Sequence, residues 1–362
     1  MKYNDVRRIT KKIKIGNTII GGDSPIAIQS MTNTDTHDKA ATLAQIKALE
    51  AAGCDIVRIT VPDVEAAQTI PYLKENGVCI PVVADIHFDY RVAIRCAELG
   101  VDKIRINPGN IGDDDRVRAV VEACKTRNVP IRIGVNGGSL EKHILAKYGA
   151  PTPEALCESA LYHVSLLEKF DFYDTVISMK ISDPYKMILA NRLLADKCDY
   201  PLHLGVTEAG ARERGMLKSA VGIGSLLCDG IGDTIRVSLT DDPTEEIRAA
   251  RSILQSVGIE GQMGLDIVSC PTCGRTKIDL IPIVSAFEDA ARREGLLGLP
   301  LKVAIMGCVV NGPGEAREAD VGIAGGKGEA VLIRKGEIIR KISESDIVDC
   351  LISEIKRIRD GE

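Results

Sequence analysis

The chain has no tryptophan, and only four phenylalanines and eight tyrosines among its 362 residues. Proteins that grip single-stranded nucleic acid stack bases on aromatic side chains beside basic grooves. Here aromatics are scarce and the net charge of −5 offers phosphate backbones no general attraction, so nucleic-acid binding is not expected. No apolar run approaches the roughly 18 residues that a bilayer span requires. The N-terminal stretch MKYNDVRRITKKIKIGNT is basic but lacks the apolar core and small-residue cleavage site of a signal peptide. A cytoplasmic protein without membrane attachment is the expectation. Histidine is also scarce: the five, at 37, 87, 143, 163 and 203, show no ligand spacing. Only His87 follows a strand end, and it is left without a role, as is Asp85.

What is present is an ordinary globular composition, 45% hydrophobic and 27% charged. The length suits one large domain of about 250 residues and one of about 100. Short β-branched strands at 26–30, 56–60, 81–86, 103–107, 131–136, 175–180, 202–207 and 234–239 alternate with helical stretches whose apolar residues recur three and four apart. Eight such repeats are what a (β/α)8 TIM-type barrel needs, and near-continuous apolar strands suit a parallel sheet covered by helices. A doubly wound open sheet is the alternative. KIGNTIIGG, before the first strand, reads as a hairpin placed to cap the barrel floor. The expected organisation is a barrel over residues 1–258, a linker over 259–265, and a small α+β domain over 266–362.

Active sites of such barrels form at the C-terminal ends of the strands. Those ends carry Arg58, Arg105, Arg132 with Asn136, Lys180, Thr207 with Glu208, and Arg236 with Ser238. Cations flanked by Val and Ile inside strands are not an ordinary solvated surface, and the strand ends supply few acids, chiefly Asp85 and Glu208. An anionic ligand is the natural counter-charge, and bidentate arginine contacts favour phosphate or diphosphate. Glu208, an acid among cations, is a candidate proton donor or acceptor, or alternatively a salt-bridge organiser for Arg236 or Lys180. The excursion GGSLEKHILAKYGAPT (137–152) lengthens the fifth crossover and is a candidate lid.

Eleven cysteines would be awkward in an oxidising compartment. Cys54, Cys79, Cys96, Cys124, Cys157, Cys198 and Cys228 fall singly in or beside apolar stretches and read as buried small hydrophobes. Cys350 is either core or a metal ligand, its apolar helical setting favouring core. Cys270 and Cys273 in SCPTCGRT and Cys308 in MGCVVNGPGEA sit instead in Gly/Pro loops, with Glu315 on the same loop as the third. Three thiolates leave one corner of a four-cornered metal centre to a weaker ligand. A zinc ribbon would show a second Cys-x2-Cys, which is absent, so an iron–sulfur cluster fits better.

Together SCPTCGRT, MGCVVNGPGEA, IQSMTNTDT, ADIHF, RINPGN, GVNGGSL and HLGVTEAG resemble the 4-hydroxy-3-methylbut-2-enyl-diphosphate synthase family, from about residue 6 to 355 and across both domains. The resemblance implies an iron–sulfur oxidoreductase of isoprenoid precursor biosynthesis in its bacterial two-domain form. It would open and dehydrate 2-C-methyl-D-erythritol 2,4-cyclodiphosphate, with flavodoxin or ferredoxin as electron donor. It implies a 4Fe–4S cluster on Cys270, Cys273, Cys308 and Glu315, with Asn311 beside it, in a domain like a sulfite-reductase half. Arg58, Arg105, Arg132, Asn136, Lys180, Thr207, Arg236 and Ser238 would line the diphosphate site, and Glu208 would donate the proton. A dihydropteroate-synthase-like phosphate-ligand barrel with a structural metal, and a non-enzymatic iron–sulfur sensor, are the competing readings.

Chain geometry adds one expectation independent of the family. The last barrel helix ends on the face opposite the active site, and a linker of seven or eight residues reaches at most about 25 Å. That is barely the barrel's height, so each cluster domain is expected to serve its partner's barrel in a homodimer.

Overall fold

The structure, a computed structural model, describes residues 6–259, 264–310 and 312–361. It divides into two compact units, Met1–Val257 and Gly258–Glu362.

In the first unit a hairpin of β1 (Ile13–Ile15) and β2 (Thr18–Ile20) precedes eight strands. These are β3 (Ala27–Met31), β4 (Ile56–Thr60), β5 (Val82–Asp85), β6 (Lys103–Ile106), β7 (Ile131–Asn136), β8 (Thr175–Lys180), β9 (His203–Leu204) and β10 (Thr234–Ile235). Strands β3 to β8 pair in parallel in sequence order, and β10 pairs in parallel with both β3 and β9. A parallel bridge from Ile177 to Leu202 joins β8 to β9 and closes the ring. The architecture is thus the expected TIM-type barrel and not an open sheet. Four of the helices between strands start at carboxylates: Asp38, Asp89, Asp113 and Asp183 each accept a backbone N–H of the first turn.

Two strands are shorter than their sequences suggest. β9 and β10 were expected over 202–207 and 234–239, but each keeps ladder geometry for two residues only. Beyond that point the backbones crowd: a Cβ on Gly205 would lie 2.6 Å from the Arg236 carbonyl oxygen. The chain instead turns outward, with Glu208 in the left-handed region at φ +51°.

A repeated tetrad organises three of the strands. Asp55, Asp102 and Asp233 each stand at the foot of a strand, and each carboxylate accepts a backbone N–H from the neighbouring strand, Ile28, Val82 and Leu202 respectively, at 2.7–2.9 Å. Three residues on come Arg58, Arg105 and Arg236. An odd spacing on a strand sends the two side chains to opposite faces, so the acid clamps the sheet while the arginine faces inward.

The barrel floor is apolar. Ile13, Ile15 and Ile20 of the hairpin form one buried cluster with Ala27, Ile56, Val83 and Val176, which is the capping role the hairpin was expected to have. Four of the scattered cysteines (54, 96, 124 and 157) are buried as anticipated, but Cys79 and Cys228 are exposed. Cys79 lies in the turn before β5 and Cys228 is the last residue of its helix, where neither is covered.

The second unit is a five-stranded sheet in the order β11 (Asp266–Ser269), β12 (Lys302–Met306), β13 (Val321–Gly325), β14 (Glu329–Arg334), β15 (Glu337–Ser343). The first three strands are parallel and the last two antiparallel to their neighbours. Helices Leu280–Arg293 and Ile347–Asp360 bury Phe287, Ala291, Leu351 and Ile355 against one face, and Cys350 packs at the edge of this core. Among the described residues no helix is long and apolar enough to cross a membrane.

Ile15 is fully buried in the floor. Ile15→Ala should therefore cost about 2–5 kcal/mol in chemical unfolding of the barrel. Phosphate-anion affinity at the far end should be unchanged; a loss of binding in the folded variant would show that the floor shapes the mouth.

Candidate active site

Inside a barrel strand every second residue points inward, and at the upper end of this barrel those residues are polar. Arg58, Asp85, Arg105, Arg132, Asn136, Ser178, Lys180, Thr207, Arg236 and Ser238, with His87 at the rim, line a sunken cavity of about 160 Å³. All eight residues expected to bind substrate therefore face one space. Glu208 does not line it; it is exposed on the turn after Thr207.

The cations are buried and short of acids. Asp85 bridges two of them, Arg105 Nη1 at 3.0 Å and Arg58 Nε at 3.5 Å. Burial would raise its pKa, but Arg58 and Arg105 outweigh burial and hold it at about 2. Arg236 is paired with Glu246 at 3.4 Å, an acid from the helix Pro243–Val257 that no strand-end reading would find. Glu246 also accepts from Ser30 Oγ and the Leu239 N–H. The Met31 thioether, 2.8 Å from Arg58 Nη2 and 3.5 Å from Arg236 Nη1, stands between those two guanidinium groups.

Arg132 is the extreme case. It is wholly buried, and none of its three guanidinium nitrogens has a protein acceptor. Burial, then the neighbouring Arg58 and Arg105, push its pKa well below the arginine range. Burial, then Arg58 and Arg236, do the same to Lys180. A glycine makes room for this crowding: a Cβ on Gly134 would lie 2.2 Å from Arg105 Nε. The arrangement is unfavourable when empty and favourable around a multiply charged anion.

The 137–152 excursion is pinned to the helix Pro153–Glu168. His163 Nδ1 accepts the Gly109 N–H at 3.1 Å, so its Nε2 carries the proton and donates to Glu141. Glu158 accepts from Lys147 Nζ and Tyr148 Oη. The segment expected as a candidate lid is thus held at both of its ends.

In the second unit, two loops carry the three cysteines, and the Lys277 N–H donates to the Gly307 carbonyl between those loops at 2.9 Å. The Gly307 N–H donates to Cys270 Sγ at 3.2 Å, the kind of contact that tunes cluster sulfurs. The Arg275 and Thr276 groups beside Cys273 lower its pKa, favouring the thiolate that binds metal. Among the described residues no three Cys, His, Asp or Glu side chains are gathered as a metal-holding group. Asn311 and the side chain of Glu315 lie outside the described residues. The donor set, soft thiols with N–H groups turned to sulfur, fits an iron–sulfur group.

A closed (β/α)8 barrel with a sunken cationic mouth, joined to a small α+β unit with three cysteines on two loops, defines a two-domain barrel enzyme built around an anion. Residues 10–251 match the GcpE TIM-barrel domain and residues 266–357 the GcpE protein C-terminal domain, and the chain belongs to this family. It is 58% identical to the 4-hydroxy-3-methylbut-2-en-1-yl diphosphate synthase (flavodoxin) of Caldanaerobacter subterraneus subsp. tengcongensis, over 98% of each chain. The like-named protein of Clostridium perfringens is also 58% identical, over 97% of this chain and 99% of that one. The one from Geobacter sulfurreducens is 55% identical, over 96% and 98%. Among solved structures, dihydropteroate synthase from Stenotrophomonas maltophilia matches 69% of this chain and 99% of its own with a TM-score of 0.51. At 14% identity that likeness shows the barrel fold alone.

Asp85→Asn should leave Arg58 and Arg105 without their shared carboxylate, at a cost of about 3–5 kcal/mol. The folded-state pKa of about 2 lies below the ordinary 3.8, so Asp85 stabilises fully above about pH 4 and loses this effect toward pH 2. Thermal unfolding near pH 7 should show the drop, and added inorganic diphosphate should recover part of it. An unchanged melting temperature without anion would mean that the carboxylate is not holding the two arginines.

Proposed function

We propose that the barrel mouth binds the diphosphate of 2-C-methyl-D-erythritol 2,4-cyclodiphosphate. The protein reduces this ring by two electrons, releasing water and yielding (E)-4-hydroxy-3-methylbut-2-enyl diphosphate. The observation that carries this reading is the buried Arg132 guanidinium, without a protein acceptor, amid four further cations with Asp85 and Glu246 as the near carboxylates among the described residues. The relatives are named for this product and for flavodoxin, so flavodoxin is the expected electron donor, with ferredoxin the alternative.

The residues divide the work. Arg58, Arg105, Arg132, Lys180 and Arg236 hold the diphosphate oxygens, and Asn136, Thr207 and Ser238 hydrogen-bond to them. When the ring C–O bond breaks, charge grows on a phosphate oxygen already faced by these cations, which stabilises it as a leaving group. Glu208, on its strained turn at the rim, protonates the hydroxyl that departs as water. Cys270, Cys273, Cys308 and Glu315 would hold a 4Fe–4S cluster, with Asn311 beside it. Such a cluster supplies electrons one at a time.

The barrel needs that cluster from another subunit. The helix Pro243–Val257 spans about 22 Å back to the floor, and the few residues before Asp266 reach roughly 25 Å at full stretch. We take the working unit to be a homodimer in which each cluster domain faces its partner's barrel.

Anaerobic turnover of the cyclic diphosphate with a strong reductant should yield the open-chain diphosphate; absence of product from a brown, cluster-loaded protein would overturn the reading. Glu208→Gln should lower kcat about 10²-fold or more at unchanged cluster content. Full turnover would remove the acid role. Mixing inactive Cys270→Ala and Arg132→Ala subunits should restore some activity, and none under verified subunit exchange would rule out the shared site.

A further inference from the structure

Below the cavity lies a second polar tier that the proposed reaction does not use. On β6, Lys103 precedes Arg105 by two residues, so it faces the same interior one tier deeper. Across the barrel, His203 on β9 occupies a matching inward position, its Nδ1 2.8 Å from Thr234 Oγ1. Gln29 on β3 is the third member. All three are essentially sealed from solvent, and Lys103 Nζ, His203 Nε2 and both amide atoms of Gln29 have no protein hydrogen-bond partner. Under them is the isoleucine floor.

A lysine sealed in this way keeps its proton only if a carboxylate stands beside it. The charged groups around Lys103 are almost all cations. Arg58 on β4 and Arg132 on β7 disfavour its charged form directly, in addition to burial. Higher in the barrel are Arg105 on its own strand, Lys180 on β8 and Arg236 just after β10. His203 is pushed toward the neutral form by the same crowd, with burial first and Arg132 next. The acids are Asp85, engaged by Arg58 and Arg105, and Glu246, engaged by Arg236. Neither is free for Lys103.

We propose that Lys103 is the adjustable charge of this barrel: neutral while the mouth is empty, and protonated when a diphosphate occupies the cavity above it. The empty barrel then tolerates its crowd of cations because the lysine beneath them is switched off, and the ligand's negative charge switches it on. Lys103 does not line the cavity, so its role is to position charge and not to touch substrate. The inference rests on the diphosphate reading of the mouth.

The sign of the coupling follows from mass action. If binding takes up a proton, affinity falls as pH rises, by up to tenfold per unit. This holds between the lowered pKa of Lys103 in the empty protein and its higher value in the complex.

The test is calorimetric titration of the anaerobic holoprotein with the cyclic diphosphate at pH 8, without reductant. Its two diester-type oxyanions do not titrate near that pH, so buffer-dependent heat reports on the protein. Comparing Tris with HEPES should give a net uptake of up to one proton per site. Lys103→Met should abolish that uptake and flatten the pH dependence of affinity. His203→Gln should retain both. Wild-type binding with no buffer dependence would overturn the inference on its own, with no need for a folded variant. Uptake that survives Lys103→Met, whether it then belongs to His203 or to the likewise buried Lys180, would also overturn it. Failure of the ligand to bind at all would instead remove the diphosphate reading.

Discussion

The constraint on which the rest of this molecule depends is the burial of more positive charge than its acids can balance. Moving even one unpaired ion out of water costs several kcal/mol, and this barrel turns Arg58, Arg105, Arg132, Lys180 and Arg236 toward one cavity with Asp85 and Glu246 as the near acids. Such a site is stable only if the surrounding structure forces the side chains together. Much of the fold serves that end. Asp85 takes two arginines at once, the Met31 sulfur separates Arg58 from Arg236, and Gly134 and Gly205 leave space where any side chain would collide.

The force comes from the barrel's other end. The isoleucines of the β1–β2 hairpin close an apolar floor, and Asp55, Asp102 and Asp233 clamp strand feet by accepting neighbouring N–H groups. Each clamp lies three residues before an inward arginine, so a single short tetrad couples a stabilising contact outside to a destabilising charge inside. The stability is gathered at the floor and spent at the mouth, as expected where function rather than packing sets the residue.

Much of this was legible from residue order. The eight repeats and the place of the cations at strand ends follow from periods of two and 3.6, and the hairpin cap from a short turn sequence ahead of the first strand. What escaped has identifiable causes. Glu246 belongs to the helix that follows β10, ten residues from Arg236, where a reading confined to strand ends does not look. Lys103 and His203 carry the inward period, yet a charged residue two places below an expected site reads as a strand edge until the floor is seen to seal it. The lengths of β9 and β10 were overestimated because β-branched composition does not reveal where Gly205 and the Arg236 backbone meet. Glu208 shows the opposite limit, since its side chain is named by its motif but stands outside the cavity in the barrel taken by itself.

That last point bears on how the two halves of the proposed chemistry meet. The mouth presents cations for the diphosphate but carries few groups able to handle the carbon end of a substrate: Glu208 and His87 stand at its rim, exposed. The thiols that would hold an electron-supplying cluster belong to a unit with its own sheet and its own core. A barrel that only bound diphosphate would need no acid on a strained turn at its edge. An acid held there, in the left-handed region that a side chain other than glycine rarely adopts, suits the proposed proton transfer at the rim, beside the diphosphate that the cations would fix. In the proposed dimer the electrostatics of the barrel interior and the geometry of the rim have separate roles. In that reading the interior cations would immobilise the leaving group, and reduction would take place at the rim, where the partner's cluster domain would arrive.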